Sequence, residues 1–150
     1  MRFEQTRDAL VHVEEFHRLA AHLYGELAGQ TKARVVMLLD YLSRHEVKLA
    51  DNLCNLIGDL PPQILKGWFK YSHDTDILLP LAEARQNPPR DFDEALDLAF
   101  RLDGKLLEFY QEMIEQSPSI EAREIFINLL GQEMKEKQKL MRGALSLLDL

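Results

Sequence analysis

The sequence predicts an all-α protein in which two antiparallel helical hairpins, joined by a long crossover, form a four-helix bundle within a single domain spanning residues 1–150. Three observations carry this reading. Apolar residues recur every three or four positions through four long segments, the signature of helices with one buried face. The 7 glycines and 6 prolines fall mostly between those segments. A chain of 150 residues also buries roughly 70% of the surface its unfolded form exposes, enough for a genuine core.

The first helix is expected over about residues 6–28, with the seam Leu10, Val13, His17, Ala20, Tyr24 and Leu27; the tripeptide GQT at Gly29–Thr31 breaks it. The second, over about 32–57, places Val35, Leu39, Leu42, Glu46, Leu49, Leu53 and Leu56 at alternating steps of four and three. Gly58 sits where a helix-terminating glycine belongs. The third, over about 93–116, carries Leu96, Ala99, Asp103, Leu106, Tyr110 and Met113, and SPS at Ser117–Ser119 ends it. The fourth, over about 120–148, carries Phe126, Leu129, Glu133, Glu136, Leu140, Gly143 and Leu147. The crossover, about 59–91, holds five of the six prolines. A structureless connection of that length is unusual in a compact domain, so short helices are expected near 62–70 and 76–85.

Composition narrows the function. The net charge of −7 arises from 25 acidic and 18 basic residues mixed along the chain, with no basic block interleaved with aromatics, which argues against a nucleic-acid partner. The longest aliphatic run, VVMLL at Val35–Leu39, is far shorter than the roughly 18 apolar residues of a membrane span, so no membrane association is expected. A single cysteine, Cys54, excludes an internal disulfide and reads as a small buried hydrophobe. With no secretory apolar stretch near Met1, a cytoplasmic location is expected. Phosphate loops, nucleophile elbows and cysteine pairs are all missing, so nothing points to hydrolase, kinase or thiol chemistry.

The informative residues are ionisable ones at positions that periodicity marks as buried: His17, Glu46, Asp103 and Glu133, one per helix, with Glu136 one turn beyond Glu133. His17 and Glu46 are centred on position 31.5, beside the GQT break, and Asp103 and Glu133 on Pro118. Each lies about 15 residues from its turn, or roughly 22 Å along a helix, so folding each hairpin at its midpoint brings all four to one height. The halves also match each other. His17 to Tyr24 and Asp103 to Tyr110 are both seven apart, and the tyrosine-to-glutamate spacings are 22 and 23, as an internal duplication would leave them.

In the segments AFRLDGKLLEFYQEM and EAREIFINLLGQEMKEKQKL above all, the chain resembles the ferritin-like superfamily and its rubrerythrin-like group. The resemblance covers the four helices and not the connection. It implies a two-metal centre built from one Glu on each of two helices and a Glu-x-x-His motif on each of the other two. His17 and Asp103 stand at the single-Glu positions, Glu46 and Glu133 at the motif glutamates, and Leu49 and Glu136 at the two motif histidines. Both histidines are therefore replaced, and Leu49 cannot ligate. One imidazole and four carboxylates remain, a set suited to hard ions such as iron or manganese, one or two in number.

That resemblance implies a metal-binding protein of iron, oxygen or peroxide handling, an oxidoreductase if it is an enzyme, with homo-dimers common in the group. The alternative is a metal-free bundle acting as a binding or interaction module, its carboxylates protonated or paired with His17. His17 itself reads equally as a buried histidine hydrogen-bonded to a carboxylate and as a ligand. Tyr24 and Tyr110 read as core aromatics before redox partners. His12, His22, His45 and His73 are expected at the surface. GWFKY at Gly67–Tyr71 is expected to pack over the bundle, a lid or subunit contact being the other reading.

Overall fold

A computed structural model describes residues 5–29, 33–69 and 75–148. Six helices follow in order: α1 Thr6–Ala28, α2 Ala33–Asp59, α3 Pro62–Leu65, α4 Leu79–Gln86, α5 Phe92–Gln116 and α6 Ile120–Leu148. The long four are α1, α2, α5 and α6. Around one core they bury the apolar seams, including Leu10, Val13, Leu39, Leu42, Leu106, Phe109 and Phe126. No regular strand occurs among the described residues.

Local chemistry sets the ends. The Gln5 amide donates to Asp8 Oδ2 at 3.0 Å, satisfying a donor at the start of α1. Asp91 caps α5 by accepting from the Glu94 amide at 2.9 Å. Ser117 closes α5 by donating to the Met113 carbonyl at 2.6 Å, and Ser119 opens α6 by accepting from the Ala122 amide at 3.1 Å. Gly58 does not terminate α2. It lies inside the helix, no glycine among the described residues adopts a left-handed conformation, and the Leu60 amide still reaches the Leu56 carbonyl at 3.1 Å. Pro61 and Pro62 do the breaking, because proline lacks the donor and restricts the residue before it.

The crossover is tied to one end of the bundle at its start. Thr6 donates its amide to the Gly67 carbonyl at 2.8 Å, and a Cβ on Gly67 would lie 2.9 Å from Pro118 Cγ. The chain thus threads between the start of α1 and the α5–α6 turn where only glycine fits. It then reaches the opposite end, where Arg85 in the last turn of α4 meets Glu26 near the end of α1 at 3.7 Å. Ile77, Leu81 and Ala84 bury themselves against the core on the way. Phe69 packs on Phe126 with ring centroids 6.2 Å apart, whereas Trp68 is 60% exposed; Tyr71 and His73 lie outside the described residues.

Three surface and core assignments are corrected. Cys54 is exposed, because α2 turns it away from the side carrying Leu53 and Ala50. His12 is buried, one position before seam residue Val13, with its ring 5.9 Å from Phe109. Burial lowers its pKa. His45 is half-buried rather than free on the surface, while His22 is exposed.

Candidate metal centre

Each long helix delivers one ionisable side chain to the interior: His17 from α1, Glu46 from α2, Asp103 from α5 and Glu133 from α6, at 1, 4, 8 and 4% exposure. The seam positions that hold them are those where leucine would otherwise sit, so each group loses its water and must find a partner inside. His17 Nδ1 lies 2.5 Å from Glu46 Oε2, a short hydrogen bond between the helices of the first hairpin. Asp103 and Glu133 hydrogen-bond each other across the second hairpin. Two carboxylates can do so only by sharing a proton.

The two pairs act on one another. Burial is the largest cause that pushes Asp103 up, to about 7; the Glu46 charge adds to it, while the hydrogen bond to Glu133 and the charge on His17 oppose it. Glu133 is raised well above the usual carboxylate range, first by burial and then by the charges of Asp103 and Glu46. Both carboxyls are raised, and the hydrogen bond between them needs one proton held by the pair. Tyr24 and Tyr110 are fully buried beside this layer. Burial pushes both hydroxyls well up, with Glu46 and Glu133 adding to each, which keeps them neutral.

Glu136 is placed elsewhere. It turns outward between α2 and α6, where its carboxylate meets His45 Nε2 at 3.3 Å and Lys139 Nζ at 3.6 Å. The His45 ring in turn stacks on Tyr41, with centroids 6.0 Å apart and planes 4° from parallel. Tyr41, Arg44, His45, Lys48, Leu49, Asn52, Glu136 and Lys139 line a shallow groove there. Leu49, half-buried, forms part of that wall. The His45–Glu136 pair was not anticipated, although the register contains it: with Glu46 and Glu133 at one height on antiparallel helices, His45 and Glu136 are also close in height.

The donor chemistry therefore fits one hard cation better than two. His17, Glu46, Asp103 and Glu133 supply an imidazole and three carboxylates from four rigid helices. A second ion would need ligands from position 49, which is leucine, and from Glu136, which is engaged with His45. Among the described residues no three His, Cys, Asp or Glu side chains converge closely enough to hold an ion as they stand. Each is turned toward its pairwise partner.

No protein-family model matches the chain, and no curated protein matches its sequence. The solved structures include a similar one: a Thermotoga maritima protein described as a ferritin-like diiron-carboxylate protein, 14% identical, with a TM-score of 0.68 over 95% of each chain. A likeness of that extent makes the fold ferritin-like. No helix among the described residues is long and apolar enough to cross a membrane.

Proposed function

We propose that this protein is a rubrerythrin-like metal-binding bundle in which His17, Glu46, Asp103 and Glu133 hold one hard divalent cation, iron(II) or manganese(II). The observation that carries the reading is the burial of four ionisable side chains, one from each long helix, in a ferritin-like fold. A layer serving only to stabilise the fold gains little from three buried carboxylates, since apolar residues of similar volume stabilise as well or better. The diiron-carboxylate description of the similarly folded Thermotoga protein points the same way.

The residues divide the work. Glu133 and Asp103 hold a proton that a cation would replace, His17 would supply a nitrogen, and Glu46, now hydrogen-bonded to His17, would supply a carboxylate oxygen. Tyr24 and Tyr110 close the layer on their sides and keep water out. The bound ion would supply one-electron chemistry toward oxygen or peroxide. Glu136, paired with His45 at the outer wall, stands outside the set.

A metal-free bundle serving as an interaction module is the second reading, favoured by the completeness of the His17–Glu46 and Asp103–Glu133 pairs. Metal analysis of protein purified without chelator separates the two. The first reading expects close to one equivalent of iron or manganese after reconstitution. Less than about a tenth of an equivalent, with no rise in melting temperature on adding either ion, would sink it.

A further inference from the structure

The groove between α2 and α6 carries a charge opposite to that of the whole chain. The sequence holds 25 acidic and 18 basic residues, yet in this groove Arg44, Lys48 and Lys139 stand against the single carboxylate of Glu136. Arg44 and Lys48 lie four apart on α2, side by side on its surface, where like charges repel. Arg44 commits only its Nε, to the Asp40 carbonyl at 3.4 Å, and Lys48 makes no ion pair among the described residues. Glu136 is already shared between His45 and Lys139. Two cations on the α2 wall and one on the α6 wall therefore share a groove in which one carboxylate offsets them.

The groove has a volume of about 340 Å³, within the range of small-molecule sites. Asn52 links it to a second depression of about 290 Å³ farther along α2, lined by Leu53, Leu56, Ile125 and Leu129 beside Asn128 and Gln132. The cationic end is thus followed by a more apolar one. Three donors from two helices suit a tetrahedral dianion, whose oxygens accept a hydrogen bond from each, better than a planar carboxylate with two oxygens. We propose that the α2–α6 groove binds a phosphate monoester. Arg44, Lys48 and Lys139 hold its phosphoryl oxygens, and its organic body lies past Asn52 over the half-buried Leu56 and Ile125. This site does not depend on a metal in the buried layer, since none of these side chains belongs to that layer.

The test is a titration of the full chain with phenyl phosphate and, separately, with inorganic phosphate, at constant pH and ionic strength, followed by the amide shifts of Arg44, Lys48 and Lys139 in NMR. The protein is first stripped of metal and dialysed free of chelator, so that no bound ion captures the phosphate. Saturation with a Kd below about 1 mM is expected for phenyl phosphate, with inorganic phosphate weaker. Arg44→Gln and Lys48→Gln, both at exposed positions, should each keep a dispersed spectrum and weaken binding by about tenfold, because each loses a charge-assisted hydrogen bond. Lys135→Gln, at an exposed position outside the groove, should leave binding unchanged. Shifts that saturate with neither compound, or a loss as large in Lys135→Gln, would overturn the site. Equal affinity for the two compounds would overturn the organic ligand and assign the site to free phosphate.

Discussion

Asp103→Asn should stabilise the metal-free protein near neutral pH, and by an amount that changes with pH in a defined direction. Asp103 has its pKa raised from 3.8 to about 7, chiefly by burial. A carboxyl raised in the folded state favours its protonated form there. Its contribution is whole below the ordinary value and is lost as pH climbs through about 7. A gap of about 3 units, at 1.36 kcal/mol per unit, makes the loss roughly 4 kcal/mol. Asparagine stays neutral and can still hydrogen-bond to Glu133. Urea unfolding in the presence of a chelator, followed by circular dichroism at several pH values, reads the effect. Variant and wild type should be similar near pH about 4, and the variant should pull ahead by up to about 4 kcal/mol above pH about 7. With manganese present the order should shrink or reverse, because the variant has lost a charged ligand. A stability difference that does not change with pH would refute the reasoning, since a proton-linked effect must have a slope.

Leu49→His restores a nitrogen one turn from Glu46 on the same helix, so affinity for manganese(II) should rise by about tenfold or more in competition titrations; unchanged affinity would leave position 49 outside the centre. His17→Ala removes the partner of buried Glu46 and should cost about 3 to 5 kcal/mol in chelator-treated protein, read from denaturant midpoints. Gly67→Ala drives a methyl group to 2.9 Å from Pro118 Cγ and should cost about 1 to 3 kcal/mol, seen as a lower melting temperature without loss of helical signal. Glu136→Gln should leave metal stoichiometry unchanged while weakening the contact that holds His45 at the outer wall, visible as a change in the His45 ring chemical shifts by NMR at fixed pH.

The helical bundle was legible in the chain because the 3.6-residue period of burial acts through every turn of a long helix, and 23 to 29 residues average out local exceptions. His17, Glu46, Asp103 and Glu133 stood out by the same logic, each at a position the surrounding leucines mark as interior. Side-chain direction near the edge of a face is less legible. Glu136 shares the seam by spacing, yet a modest rotation about α6 hands it to His45. Cys54 and His12, each adjacent to a seam residue, fall on the side that spacing alone did not assign. Gly58 could not be read correctly because a glycine without a left-handed turn can continue a helix as well as end it, and two prolines beyond it already supply the stop. The pairing of His17 with Glu46 and of Asp103 with Glu133 depends on ångström-scale placement across helices, which no spacing along one chain contains.

The most direct measurement is equilibrium dialysis of manganese(II) against chelator-stripped wild type and a Glu46→Gln, Glu133→Gln double variant, under conditions where circular dichroism finds both folded. A single carboxylate-rich site in the buried layer predicts one ion per wild-type chain and none per variant chain. Two ions in the wild type, binding that survives in the variant, or no binding to either would contradict it.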